Sequence, residues 1–139
     1  MSTESGYGNE RKIAAGLKRK KILVMDDEEI VRDVVGMMLD KLGYDVSLSQ
    51  DGDEAIEQYL KAPGESFDAV IVDLNIKGGM GGIEVCSRLR EIDPSVTCIA
   101  SSGYTIDLDA LELEKYGFKG AIAKPYRLAR LDSVLKNVL

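Results

Sequence analysis

The sequence contains no histidine and only two cysteines, and its apolar runs are short. The absence of histidine excludes catalytic triads that use an imidazole and metal sites that rely on imidazole ligands. The two cysteines, Cys86 and Cys98, lie inside apolar patterns and have no metal-ligand spacing. We therefore expect buried, reduced thiols rather than a disulfide or a zinc site.

No segment approaches the run of about 20 apolar residues that a membrane-spanning helix needs. The N-terminal residues also contain no apolar stretch long enough for a signal peptide. These absences predict a cytoplasmic protein that does not associate with a membrane.

Basic residues are outnumbered, with 18 Lys and Arg against 24 Asp and Glu, and the net charge is −6. This charge repels a phosphate backbone, so we expect no nucleic-acid binding by the domain. Six of the basic residues lie within residues 1–21, beside two glutamates. The composition favours a flexible basic tail or linker at 1–19, followed by a single domain at 20–139. A membrane-binding or nucleic-acid-binding role for the basic run at 18–21 is the less favoured interpretation.

Short β-type runs alternate with helical patterns from residue 21 to the last residue. Strands are predicted at 21–25, 44–48, 69–72, 97–101 and 119–123. Helices are predicted along the apolar stripe from Ile30 to Leu42, at 51–62, 83–92 and 105–115, and in a final helix with Leu128, Leu131, Leu135 and Val138 on one face. The strands are almost continuously apolar, which is typical of a parallel sheet covered on both faces. Right-handed crossovers then give a doubly wound α/β fold with five strands and five helices in a single domain.

Polar side chains follow the predicted strands at the edge where such sheets bind ligands. Asp26 and Asp27 follow the first strand, Asp73 the third, Ser102 the fourth and Lys124 the fifth. Three carboxylates that converge repel one another unless a cation neutralises them. Oxygen ligands without His or Cys select Mg²⁺ or a similar hard ion. A carboxylate beside that ion can attack phosphorus, with the hydroxyl and the amine holding the transferred oxygens.

Four motifs resemble the response-regulator receiver family of the CheY-like superfamily. They are DDEE at 26–29, VDLN at 72–75, SSGY at 101–104 and KPY at 124–126. The resemblance covers about residues 20–139 and implies a flavodoxin-like sheet with strand order 2-1-3-4-5. The loop GGMGG at 78–82 also resembles receivers attached to hybrid sensor histidine kinases.

The resemblance implies a role for each site residue. Asp73 would be the phosphoacceptor, and Lys124 would pair with the phosphoryl group. The peptide bond between Lys124 and Pro125 would be cis. Asp27, Asp73 and the backbone carbonyl of Asn75 would ligate Mg²⁺, with Asp26 acting through a bound water. The phosphohistidine donor would be a sensor histidine kinase or a histidine phosphotransfer protein, since this chain has no histidine. Such a domain catalyses its own phosphotransfer and dephosphorylation but is not otherwise an enzyme.

Ala121 departs from the family pattern, which commonly has Tyr or Phe three residues before the lysine. A ring rotation cannot carry the signal there, so we expect the switch to run through Ser102, Gly103 and Tyr104 into the weakly patterned helix at 105–115. In the family, the positions of Asn75 and Tyr104 tune the lifetime of the phosphoryl group.

Three other classes compete with this interpretation. An aspartate-nucleophile phosphatase needs a second Asp two residues after the first, where this chain has Asn75. A phosphate-binding cofactor module needs a glycine-rich cradle after the first strand, where the acidic DDEE would repel phosphate. A receiver-like scaffold that binds partners without phosphorylation stays open as the alternative. The sequence ends after the fifth helix, so a stand-alone receiver and a piece of a larger kinase are both compatible with it.

Overall fold

Five apolar runs form the strands of one parallel sheet, and a helix follows each strand. The computed structural model describes residues 19–61, 67–76, 78–103 and 110–139. The strands are β1 (Lys21–Met25), β2 (Asp45–Ser49), β3 (Ala69–Asp73), β4 (Cys98–Ser102) and β5 (Phe118–Ala123). The helices are α1 (Glu29–Lys41), α2 (Gly52–Leu60), α3 (Gly82–Ile92), α4 (Ala110–Lys115) and α5 (Leu128–Val138).

Local sequence signals explain where α2 begins and where α1 ends. Asp51 caps α2, because its side chain accepts a hydrogen bond from the Glu54 amide at 2.8 Å, and the Glu54 side chain accepts one from the Gln50 amide at 2.8 Å. Helix α1 ends before Gly43, whose φ of +100° suits a residue without a side chain.

The strand order is β2-β1-β3-β4-β5, with every neighbouring pair parallel. This order confirms the doubly wound, flavodoxin-like fold that the sequence predicts. In this order β1 and β3 are adjacent, and Met25 is the register partner of Val72. The carboxyl ends of these two strands therefore emerge side by side.

The core consists of two clusters, one on each face of the sheet, because successive strand residues point to opposite faces. On one face, Leu23, Met25, Val70 and Val72 pack with residues of α2 and α3. On the other face, Ile22, Val24, Ala69 and Ile71 pack with residues of α1 and α5. The thiols of Cys86 and Cys98 are free and buried in the first cluster, as the sequence predicts.

Several element boundaries differ from the prediction by one or two residues. Strands β2 and β4 begin one residue later than expected, and β5 begins one residue earlier. Helix α2 ends at Leu60, and residues 62–66 lie outside the described residues. Of the predicted helix at 105–115, the structure describes only the part from Ala110. The predicted tail lies outside the described residues except for Arg19, which contacts the domain.

Among the residues that the structure describes, no helix is both long enough and apolar enough to cross a bilayer.

Candidate functional site

Asp26 and Asp73 lie next to each other at the carboxyl edge of the sheet. Asp73 is the last residue of β3, and Asp26 follows β1 directly, so the pairing of Met25 with Val72 brings the two carboxylates together. Both residues are buried, with at most 1% of their surface exposed, whereas Asp27 is exposed. Two buried carboxylates in one place require compensating charge.

Lys124 supplies part of that charge. Its Nζ atom lies 2.7 Å from Asp26 Oδ2 and 3.1 Å from Asp73 Oδ2. The Lys124 amide donates a hydrogen bond to the Ser102 carbonyl at 2.8 Å, which fixes the exit of β5 against β4. One ammonium group is thus held between two carboxylates that belong to other strands.

The electrostatic surroundings shift the pKa values of this pair. Burial raises the pKa of Asp73, and this effect is partly opposed by the Asn75 amide, which donates to Asp73 Oδ1 at 3.0 Å, and by Lys124. Burial lowers the pKa of Lys124, but the carboxylates of Asp26 and Asp73 outweigh burial, and the pKa is raised. Lys124 therefore remains a cation.

The acidic side chains fit a hard divalent cation. Asp26, Asp27 and Asp73 each offer a carboxylate oxygen, and these oxygens lie within 4.8 Å of one another. Asp26 Oδ2 is buried and, within the described part of the chain, has no aligned hydrogen bond, although Lys124 lies close to it. An oxygen-only set that opens to solvent through Asp27 suits Mg²⁺, which keeps several waters.

Ser102 is buried at the end of β4 and contacts the loop after β3. Its hydroxyl donates to Asn75 Oδ1 at 2.8 Å, and the Gly103 amide donates to the same oxygen at 3.2 Å. The predicted switch serine is thus bound to the side chain of Asn75. For Asn75, the resemblance implied a backbone carbonyl that ligates the metal and an influence on the lifetime of the phosphoryl group. Tyr104, the third predicted switch residue, lies outside the described residues.

Three neighbours of the site were missed by sequence reasoning. Tyr126 and Ser101 form a buried hydroxyl pair with an O–O distance of 2.6 Å, and burial raises the pKa of Tyr126 to about 12. Arg32 donates to the Asp26 carbonyl at 2.7 Å. No sequence signal indicates these contacts, because they depend on how a loop and a helix face the sheet.

Pro125 and Ala121 are two further positions near Lys124 that the sequence analysis identified. The peptide bond between Lys124 and Pro125 is cis, which confirms that prediction. Ala121 is partly buried and packs against the core cluster on the α2 and α3 face.

Gly82 allows α3 to begin close behind the acidic residues. A Cβ atom at Gly82 would lie 2.6 Å from the Asp73 carbonyl oxygen, which is too close for any side chain. At Gly81, by contrast, a Cβ would meet no atom within 4 Å. The backbone behind Asp73 is therefore packed directly against the first turn of α3.

The doubly wound sheet of a flavodoxin-like fold thus places buried carboxylates, a lysine and a hydroxyl at its carboxyl edge, where the carboxylates could hold a metal ion. A model of the response regulator receiver domain matches residues 22–136. The chain belongs to this family of receiver domains, which operate in two-component signalling.

Known proteins resemble this chain in sequence and in structure. Hybrid signal transduction histidine kinase L of Dictyostelium discoideum is 28% identical over 122 residues, which are 84% of this chain and 7% of that protein. The chain spans about half the length of several other curated relatives. Chemotaxis protein CheY4 of Vibrio cholerae has a TM-score of 0.79 and 28% identity, covering 88% of this chain and 100% of that chain. Response regulator TrrA of Thermotoga maritima, in complex with Mg²⁺ and BeF, has a TM-score of 0.75 and 25% identity. The match covers 86% of this chain and 99% of that chain.

Proposed function

We propose that this receiver accepts a phosphoryl group on Asp73 in a Mg²⁺-dependent reaction and changes conformation in response. The observation that supports this most strongly is the buried Asp73 carboxylate, held beside Lys124 and two further acidic side chains at the edge of the sheet. A purely structural salt bridge would not need the exposed third carboxylate of Asp27.

The chemistry transfers a phosphoryl group from nitrogen to oxygen. An oxygen of the Asp73 carboxylate attacks the phosphorus of a phosphohistidine on the partner, the P–N bond breaks, and its electron pair returns to the imidazole. The product on this chain is an acyl phosphate. Asp73 Oδ1 is oriented by the Asn75 amide and Oδ2 by Lys124, so both oxygens have fixed directions before the donor arrives.

Asp26, Asp27 and Asp73 would hold Mg²⁺, together with the backbone carbonyl of Asn75. When bound, the ion would neutralise negative charge on the transferred phosphoryl oxygens. Lys124 would move from its position between the two carboxylates to contact a phosphoryl oxygen. The complex of TrrA with Mg²⁺ and BeF supports this assignment by analogy.

The conformational change would begin at Ser102. Its hydroxyl donates to Asn75 Oδ1, so it has to leave that oxygen in order to donate to a phosphoryl oxygen. The Gly103 amide shares the same acceptor and would be released in the same movement. Ser102, Gly103 and Tyr104 therefore form the proposed switch segment.

The proposed donor is a sensor histidine kinase or a histidine phosphotransfer protein, acting in the cytoplasm. The resemblance to a hybrid histidine kinase supports this class of partner. The receiver itself would catalyse both the transfer from the donor and the later hydrolysis of its own acyl phosphate.

The acceptor assignment is tested by changing Asp73 to Asn, which keeps the volume of the side chain and removes the nucleophile. After incubation with acetyl phosphate and Mg²⁺, intact-mass analysis should show the gain of one phosphoryl group in the wild type and none in Asp73→Asn. The matched control is Asp53→Asn, an exposed residue of α2, which should be phosphorylated like the wild type.

Two outcomes would contradict the proposal. Phosphorylation of Asp73→Asn at the wild-type rate would show that another residue is the acceptor. A wild type that gains no phosphoryl group from any donor would support the scaffold alternative.

A further inference from the structure

A surface groove of about 680 Å³ separates α1 from the edge strand β2. One wall is a stripe on α1, in which a spacing of three and four residues places the side chains on one face. This stripe consists of Asp33, Gly36, Met37 and Asp40. The other wall consists of Tyr44, Asp45, Val46 and Leu48.

The floor of the groove is apolar and open. Met37 is 67% exposed, so its side chain is accessible to a segment that lies in the groove. A Cβ at Gly36 would contact the Leu48 methyl groups at 3.6 Å. Because glycine has no Cβ, these methyl groups are left uncovered on that side. A flexible thioether beside a shallow apolar floor can adapt to an aliphatic side chain.

The rim is acidic, and one of its ends already binds an arginine from the N-terminal segment. Arg19 Nε donates to the Gly43 carbonyl at 2.7 Å, and Nη2 donates to the Tyr44 carbonyl at 2.8 Å. The guanidinium group also pairs with Asp40 at 3.2 Å and with Asp45 at 3.6 Å, and its side chain is only 9% exposed. The chain therefore enters the domain at the end of this groove.

The residues that precede Arg19 match the groove in chemistry and in length. Residues 11–18 read RKIAAGLK, with three basic side chains and the aliphatic Ile13 and Leu17. Eight extended residues reach about 27 Å. The groove follows two turns of α1, about 10 Å. The segment can cover the groove from Arg19 to Asp33.

We propose that residues 11–18 dock in the groove between α1 and β2 of their own chain, with Arg19 as the anchor. Ile13 and Leu17 cover Met37 and Leu48, and the basic side chains face the acidic rim. Because Arg19 is already fixed at the groove, the tether gives the segment a high effective concentration there. Under this proposal, residues 11–18 would be part of the folded surface rather than a flexible linker.

A photo-cross-linker tests the placement in the full chain. Ile13 is replaced by p-benzoylphenylalanine, the protein is irradiated, and the product is digested and mapped by mass spectrometry. We expect a cross-link within one molecule to Met37 or a neighbouring groove residue. Asp33→Lys should reduce the yield several-fold, whereas Asp53→Lys, equally exposed but on α2, should leave it unchanged.

The other results would overturn the proposal. A cross-linked product of doubled mass would show that the groove takes the tail of a second copy. Cross-links outside residues 33–48, or no cross-link at all, would show that the segment does not dock there.

Melting temperatures give a second readout that does not depend on the cross-linker. Leu17→Ser and Met37→Ser should each lower the melting temperature, and the double variant should lower it by less than the sum of the two. Ile30, also on α1 and 78% exposed, is the matched control. Leu17→Ser and Ile30→Ser should be additive, and equal additivity in both pairs would contradict the contact.

Discussion

Lys124 compensates the negative charge of the two buried carboxylates and so contributes to the free energy of unfolding. It faces Asp26 and Asp73, two carboxylates that are removed from water, and breaking such a pair leaves an uncompensated buried charge. Loss of one partner of a buried ion pair typically costs about 3–5 kcal/mol. The same lysine that would stabilise the phosphoryl group therefore also stabilises the unphosphorylated fold.

A bound divalent cation should add to this stability. At about one hundred times its dissociation constant, Mg²⁺ should raise the free energy of unfolding by roughly 2.7 kcal/mol. Asp27→Ala should remove most of this increase, because Asp27 supplies one of the three carboxylate oxygens. Chemical denaturation with and without Mg²⁺ measures both effects.

Asp53→Ala is the control for this measurement, since Asp53 is an exposed carboxylate outside the cluster. It should keep the full response to Mg²⁺. A wild type whose unfolding is independent of Mg²⁺, Mn²⁺ and Ca²⁺ would argue against a metal site formed by these residues.

Among the elements, α3 begins directly behind the carboxyl end of β3. Gly82→Ala should destabilise the protein by about 1–3 kcal/mol, because the new Cβ would overlap the Asp73 carbonyl oxygen and force α3 or β3 to move. It should also slow phosphorylation by acetyl phosphate, since the displaced backbone carries Asp73, the proposed nucleophile. Urea denaturation and intact-mass time courses give the two quantities.

The adjacent Gly81→Ala is an internal control for that helix. A Cβ at Gly81 meets no neighbouring atom, and its φ of −83° suits any residue, so stability and rate should stay near the wild-type values. Equal effects of the two substitutions would show that close packing behind Asp73 is not the cause.

The elements also show how far the sequence can predict this fold. Strands β1 and β3 were predicted closely because both faces of a central strand are buried, so the apolar run coincides with the strand. The bounds of β2, β4 and β5 were displaced by one residue. Strands β2 and β5 are edge strands that are only partly buried, so their apolar pattern is weaker. Strand β4 is fully buried, but it includes the polar residue Ser102, which follows its apolar run. Parallel strands end at one edge, and that rule alone brings Asp26, Asp73, Ser102 and Lys124 together.

The sequence could not predict the hydrogen bonds within the site. The bond between Ser102 and Asn75 depends on the rotamers of two side chains, one at the end of β4 and one in the loop after β3. The contacts of Tyr126 with Ser101, and of Arg32 with the Asp26 carbonyl, depend on how loops and helices are oriented over the sheet. Sequence patterns report which face a residue occupies, and they contain no information on these directions.

Across the whole molecule, the proposed switch should change one region and leave the rest unaltered. Amide hydrogen exchange with and without a stable phosphoryl mimic should differ mainly between residues 102 and 116, because Ser102 and Gly103 would both leave Asn75. Protection in α1 and α5 should stay constant. Changes confined to Ala121 and α5, with residues 102–116 unaffected, would contradict this route.

Strand β4 contributes side chains to both faces of the sheet. Its consecutive serines point to opposite faces, with Ser101 bound to Tyr126 among the residues that pack with α1 and α5, and Ser102 bound to the loop after β3. In the proposed switch, a displacement of Ser102 would disturb the side of α3 and α4 first, while the buried pair of Ser101 and Tyr126 would hold the opposite side in place. A protein that delivers the phosphoryl group and a protein that reads it could therefore occupy different faces of this small domain at the same time.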